Sequence, residues 1–150
     1  MSPTSPLAIV DAIMADLVAN SGVTPTTQRS YAEPTIIMPG VCPLIAVWCE
    51  TTGYDLILGS PPAYDRIHDI QVAYYVSNAS EAETGGSGDP VVVGALDTTI
   101  ETLLARIETY TDGVPTIGAQ LISTIKSRAL APQSGSIWRG LIVLSVKEAA

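Results

Sequence analysis

The chain is poor in the residues that most often carry chemistry. Its 150 residues include one histidine, His68, and two cysteines, Cys42 and Cys49. One imidazole and two thiols are a poor basis for a four-ligand zinc site. In an extended segment at ~3.3 Å per residue, the cysteines stand on the order of 20 Å apart, on opposite faces. A disulfide needs Cα atoms within about 7 Å, so both read as small buried hydrophobes in a reducing compartment. Basic residues are scarce as well. Seven oppose fifteen acids, for a formal charge of −8. Before residue 91 only Arg29 and Arg66 face the acids that run from Asp11 to Asp89, so the whole excess lies in that part. Such a surface repels phosphate, which argues against tight sequence-reading of nucleic acid. The plainest use of the acidity is solubility.

Several motifs are missing too. No apolar run approaches the ~20 residues a spanning helix requires, so no membrane role is expected. The N-terminal MSPTSPLAIVDAIM has no basic region, and Asp11 and Asp16 interrupt its apolar stretch. A signal peptide is therefore not expected, and the expected location is the cytosol or a particle assembled there. The glycines of TGGSGDP precede a helix pattern, but no Lys-Ser or Lys-Thr follows, and Glu81, Glu83 and Asp89 surround them. Neither Ser60 in LGSPP nor Ser136 in SGSIW lies in a nucleophile elbow. No internal repeat or separable linker divides the chain.

What is present is alternation. At period two, Asp65–Ser77 puts Ile70, Val72, Tyr74 and Val76 on one face and Ile67, Asp69, Gln71, Ala73 and Tyr75 on the other. Ile137–Lys147 is a second strand with two apolar faces: Trp138, Ile142, Leu144 and Val146 against Ile137, Leu141 and Val143. Pro6–Asn20 reads as a helix, capped by Thr4 or Ser5 and ended by Gly22, with Asp11, Asp16 and Asn20 outside its apolar stripe. Thr24–Ala32 suits a short strand, and three prolines with Gly40 keep Pro34–Pro43 irregular. Leu44–Thr51 is of strand length. Thr52-Gly53-Tyr54-Asp55 reads as a turn, leaving Leu56–Leu58 as either a second hairpin arm or a loop. Asn78–Gly88 reads as a mobile connection. Asp89-Pro90 starts a helix whose regular part begins nearer Ala95 and which Gly113 ends. Ile117–Ala129 fits helix or strand, and its β-branched residues favour strand. Ala131–Ser136 is a turn. The expectation is one α+β domain over residues 1–150: a mostly antiparallel sheet of four to five strands, two main helices packed on one face.

Chemistry finds little support. His68 stands between Asp65 and Asp69, but strand parity turns it away from both, and a strand-end or exposed histidine is the plainer reading. Glu81, Glu83 and Asp89 lack EF-hand spacing. Neither catalytic residue, metal nor cofactor is expected. The adjacent Tyr74 and Tyr75 and the two-faced closing strand imply more apolar sheet surface than two helices cover. An oligomer, a larger single core, or aromatics merely scattered on the surface would each explain it.

In arrangement, the chain resembles the tail terminator (tail completion) proteins of long-tailed bacteriophages. The points of likeness are LAIVDAIMADLVAN, the Pro-rich passage into LIAVWCE, the strand from Arg66-Ile67-His68 through DIQVAYYV, the helix TTIETLLARIET and the closing WRGLIVLSVKE. The resemblance spans nearly the whole chain as a pattern of elements. It implies a structural virion protein at the head–tail junction, not an enzyme. Such proteins form six-membered rings that cap the major tail tube protein, end its polymerisation and present a surface to the head–tail connector (stopper). DNA passes through the lumen without sequence-specific binding. On this reading Asp69, Gln71, Tyr75, Ile137, Arg139, Leu141 and Val143 are candidates for the subunit interface. Asp65, Glu81, Glu83 and Asp89 are candidates for acids facing the lumen or the tube. Another connector protein (stopper or neck), or a small cytosolic ligand-binding domain, is the alternative.

Overall fold

Helix α1 (Pro6–Asn20) has the predicted bounds. Ser5 Oγ accepts from the Leu7 N–H at 3.2 Å, Pro6 occupies the first turn, and Gly22 takes φ +84° just past the end. A computed structural model of the chain describes residues 4–77, 90–118, 120–133 and 136–150. The expected mobile connection, with Glu81, Glu83 and Asp89, lies outside those residues.

Five strands make one sheet: β1 (Thr27–Ser30), β2 (Leu44–Gly59), β3 (Pro62–Ser77), β4 (Leu121–Pro132) and β5 (Ile137–Glu148), in the order β1-β2-β3-β5-β4. The short edge strand β1 runs parallel to β2, and every other pair is antiparallel. Helix α2 (Pro90–Ile107) follows β3 in the chain and packs beside α1 on the same face of the sheet. The fold is therefore α+β, with a mixed sheet and its helices on one side.

The even-numbered side of β3 meets the helices. Ile70 and Val72, with Ile142, Leu144 and Val146 of β5, pack against Ile9, Val10, Ile13 and Leu17 of α1 and Ile100, Leu103 and Ile107 of α2. Gly140 permits the closest approach, since a Cβ there would lie 2.3 Å from Ile100 Cδ1. On the other side the Pro-rich passage folds back and lays Ile37, Val41 and Cys42 over Leu44, Ala46, Trp48, Ala73, Tyr75 and Ile137. The sheet thus has a large core above and a small one below.

Several expectations need correcting. Thr52–Asp55 is not a turn: β2 runs unbroken to Gly59 and turns at Ser60-Pro61 into β3, which starts three residues before Asp65. Cross-strand pairing overrides the local turn preference, and the extra length is absorbed by register shifts at Cys49/Thr51 and Leu56/Leu58. Regular helix begins at Pro90 rather than Ala95; the buried stripe from Leu96 onward carries the first turn with it. That helix ends at Ile107, before the short 3₁₀ turn Tyr110–Asp112 and Gly113. Ile117–Ala129 is indeed strand, but only from Leu121, because Val114–Gly118 closes a turn of its own. Ala131 and Pro132 extend β4 rather than opening a turn. Asp16, placed outside the stripe of α1, is buried.

Candidate functional site

The β2–β3 ladder is longer than the sheet it belongs to. Pairing between β3 and β5 stops at Arg66↔Glu148, whereas β2 and β3 go on pairing through Asp55↔Asp65 and Leu56↔Tyr64 to Gly59↔Pro62. Beyond Arg66 the two strands have only each other, so they form an arm on the order of 15 Å long. The registers Thr52↔His68, Tyr54↔Arg66 and Leu56↔Tyr64 put these six residues on the side of the sheet that carries the helices. Tyr54 and Tyr64 meet edge to face with centroids 6.2 Å apart, and the Arg66 guanidinium lies 5.8 Å from the Tyr54 centroid. No helix reaches this far. Tyr54 is 59% exposed, Leu56 58%, Ile57 53% and Tyr64 46%.

The root of the arm is clamped by charge. Glu148 accepts the Thr4 N–H on both oxygens, at 3.1 and 3.0 Å, and pairs with Arg66 Nη1 at 3.2 Å. Arg66 Nη1 also donates to the Thr4 carbonyl at 2.9 Å. These contacts hold the Glu148 carboxyl below its ordinary range although burial, the largest single influence, pushes it up. His68 is fully buried beside this group, against the expectation of an exposed or strand-end histidine. Its Nδ1 lies 2.9 Å from Thr52 Oγ1, while its Nε2 has no partner among the described residues. Burial first, and then Arg66, lowers its pKa, so the imidazole is held neutral; Glu148 opposes this. Among the described residues no carboxylate is hydrogen-bonded to it to orient it as a base.

The proposed lumen acid Asp65 is engaged. It accepts the Ala150 backbone N–H at 2.9 Å and pairs with Lys147 Nζ at 3.2 Å, and these partners lower its pKa in that order. Glu81, Glu83 and Asp89 lie outside the described residues. Of the interface candidates, Tyr75 and Ile137 are each 1% exposed. The chain's own Pro-rich segment covers them, so neither is left for a neighbour. Arg139 pairs with Glu33 at 3.1 Å, and Leu141 packs at the margin of the same small core. Asp69, Gln71 and Val143 remain half-buried on the open part of that face. Buried polar atoms without a partner among the described residues gather here too: Asp69 Oδ1, Tyr75 OH and Arg139 Nε. Groups of that kind are uncommon in a finished protein surface.

A second charged group lies between the helices. Asp16 receives Arg106 Nε at 2.9 Å and Nη2 at 2.7 Å, the Tyr110 hydroxyl at 2.7 Å and Asn20 Nδ2 at 2.9 Å. The bonds from Arg106 hold its carboxyl below the ordinary range against burial, and burial with this carboxylate pushes Tyr110 far up. Every lone pair is used, which marks a fastener between α1 and α2 rather than a reactive group.

Cys42 and Cys49 are free, half-buried and on opposite sides of the sheet; burial raises both thiols. Among the described residues no three His, Cys, Asp or Glu side chains gather to hold a metal ion, and no helix is long and apolar enough to cross a membrane. A shallow cleft of ≈ 330 Å³ lies between the Pro-rich segment and the end of β4, lined by Pro34, Thr35, Ile37, Pro132 and Gln133. It offers no ionisable group.

The arm is the feature that sequence reasoning missed. Its signal was the alternation Tyr54, Leu56 before the Ser60-Pro61-Pro62 break and Tyr64, Arg66 after it. Compared with models of known protein families and with curated protein sequences, the chain has no match.

Proposed function

We propose that the chain is a ring-forming structural subunit of the tail-terminator type, which caps a phage tail tube, ends its polymerisation and meets the head–tail connector. The observation that carries this reading is the exposed aromatic and aliphatic surface of the arm, held on a paired two-strand ladder that extends beyond the pairing with β5. Isolated exposed hydrophobics are ordinary, but a contiguous group on one projecting element marks a surface made to be covered. The half-buried Asp69, Gln71 and Val143 extend that demand across the open face. The element order resembles that of tail terminators, and an acidic lumen would let DNA slide without sticking. Asp65 contributes little there while Lys147 holds it, so the lumen assignment now rests on Glu81, Glu83 and Asp89.

Two measurements test the reading: the solution mass of the purified protein with negative-stain images, and the length of tail tubes polymerised in its presence. Rings of about six copies and tubes that stop growing are the expected result. A protein that neither self-associates nor touches tubes overturns it. The cleft at Pro34 and Pro132 favours the ligand-binding alternative. A small molecule that binds there and raises Tm, with no effect on tubes, would favour that class instead.

A further inference from the structure

The Pro-rich passage between β1 and β2 is a cover with no interior of its own. Of residues 32–42, Pro34, Ile37, Val41 and Cys42 are half-buried and the rest are exposed, Ile36 and Met38 among them. Beneath this thin layer Trp48, Tyr75 and Ile137 are no more than 2% exposed. The main chain does not hold the cover down. Among the described residues its main-chain bonds are Val41 N–H to the Met38 carbonyl at 3.1 Å and Cys42 N–H to the Pro39 carbonyl at 3.2 Å. Both stay inside the segment, and Pro34 and Pro39 have no N–H to give. The ties to the sheet are the side chains of Ile37, Val41 and Cys42 and the Glu33–Arg139 pair. Towards β4 a cleft separates Pro34, Thr35 and Ile37 from Pro132 and Gln133. The two ends of the segment are fastened quite differently. Tyr31 donates its N–H to the Val47 carbonyl at 3.1 Å and its hydroxyl to Asp11 at 2.7 Å, which hold it at φ +82°, a value uncommon for a tyrosine. The Pro43 carbonyl accepts from the Thr26 and Thr27 N–H groups at 2.8 and 3.3 Å.

We propose that residues 32–42 are a strap that lifts from the sheet as a unit, between fixed ends at Tyr31 and Pro43, while the sheet and its helices stay folded. The proposal holds whether or not the chain builds a ring. Segments with few buried contacts and no backbone bonds to the rest of a fold open at far lower free energy than the core. Lifting breaks three side-chain contacts and one ion pair, and no ladder hydrogen bond. It also lets water reach Tyr75 OH and Arg139 Nε, which are buried without a partner among the described residues, and so returns part of their desolvation cost. Against this stands the exposure of Trp48, Tyr75 and Ile137, so the closed form is the major one and the open form a minor state in equilibrium with it. The strap therefore works as an intramolecular blocker. Closed, it withholds the apolar lower face; open, it presents that face without unfolding.

The test is thiol labelling of the full chain by an aromatic disulfide reagent, in a Cys42→Ala/Cys49→Ala background checked by circular dichroism. Ala73→Cys puts one thiol beneath the strap, and Val72→Cys puts one beneath the helices; both positions are 0% exposed. Ala46→Cys, opposite Ala73 in the ladder, is a second reporter on the strap side. The thiol of Ala73→Cys should label at least tenfold faster than that of Val72→Cys, with a weak dependence on urea because little surface is exposed by opening. Ile37→Ser in the strap should speed labelling at Ala73→Cys by tenfold or more, and Glu33→Gln by about two- to threefold, as a half-exposed pair allows. Ile13→Val, under the helices, should speed only the Val72→Cys thiol, severalfold. One common rate and one urea dependence for the two thiols overturn the proposal, because the strap then leaves only with the whole fold. So does labelling at Ala73→Cys and Ala46→Cys as fast as in an unfolded chain, since no closed strap then exists. Labelling at Ala73→Cys that ignores Ile37→Ser overturns it as well.

Discussion

The inner and outer halves of the β2–β3 ladder use the same two strands in opposite surroundings. The inner half, Leu44–Cys49 against Ile70–Tyr75, has helices on one face and the Pro-rich segment on the other. The outer half, Tyr54–Gly59 against Pro62–Arg66, has neither helix nor Pro-rich segment over it, yet it exposes Tyr54, Leu56, Ile57 and Tyr64. Burial stabilises at roughly 25 cal/mol per Å² of apolar surface removed from water. The inner half draws its stability from that. The outer half cannot do so alone, so its apolar content is explained only by something that covers it.

The largest expected effect comes from one strand read at two points. Ile70→Ala, in the inner half, should cost about 2–5 kcal/mol by urea unfolding. Tyr64→Ala, in the outer half, should cost less than about 1 kcal/mol in the monomer. Equal losses would break the distinction between the halves. Next comes the fastener that holds the helices over the inner half. Asp16→Asn leaves Arg106 short of its charge partner and should cost about 2–3 kcal/mol, below the roughly 3–5 of a fully buried pair because the Arg106 side chain is a third exposed. The contribution is present above the unfolded carboxylate pKa of ~4 and is lost as pH falls below it. It should leave any association through the arm unchanged.

A glycine pair sharpens the contrast. Gly140, opposite Tyr74 in the inner half, has no room for a methyl group, and Gly140→Ala should cost about 1–3 kcal/mol as Ile100 is displaced. Gly53, where the outer half begins, would place a Cβ no nearer than 3.9 Å to the Ile67 carbonyl, so Gly53→Ala should be close to neutral. The smallest effect concerns His68 at the junction. Its pKa is lowered in the fold, so the unfolded chain takes up a proton first as pH falls through about 6.5. The stability it contributes is complete above that pH and declines below it, ahead of the carboxylates. His68→Gln should remove the fall in Tm between about pH 6.5 and 5 and leave the fall below about pH 4 in place.

The inner half was legible from residues alone. Alternation in Asp65–Ser77 and Ile137–Lys147, and the stripes of Pro6–Asn20 and Leu96–Ile107, report burial directly because burial made them. The outer half was hidden for two reasons. Thr52-Gly53-Tyr54-Asp55 has turn composition, and only its pairing with Asp65–His68 keeps it extended. The alternation of Tyr54 and Leu56 with Tyr64 and Arg66 is also too short, and too broken by Ser60-Pro61-Pro62, to stand out against that turn composition. The same limit explains Tyr75 and Ile137. Parity put them on the second face correctly, but nothing local announces that Ile37, Val41 and Cys42 fold back to cover them. Asp16 and His68 are lone polar residues whose partners lie 90 and 16 positions away, beyond any periodic signal.

The two tryptophans of the chain fall on opposite sides of the sheet. Trp48 lies under the Pro-rich segment with its indole N–H on Glu50 at 2.8 Å, and Trp138 packs against the helix-side core with no such bond. Each fluorophore therefore watches one layer. A chain keeping only Trp48 would redden its emission when the Pro-rich cover lifts, and one keeping only Trp138 when the helices leave. Recorded in the same denaturant series, the two traces would tell whether the lower cover peels away first or both layers dissolve together.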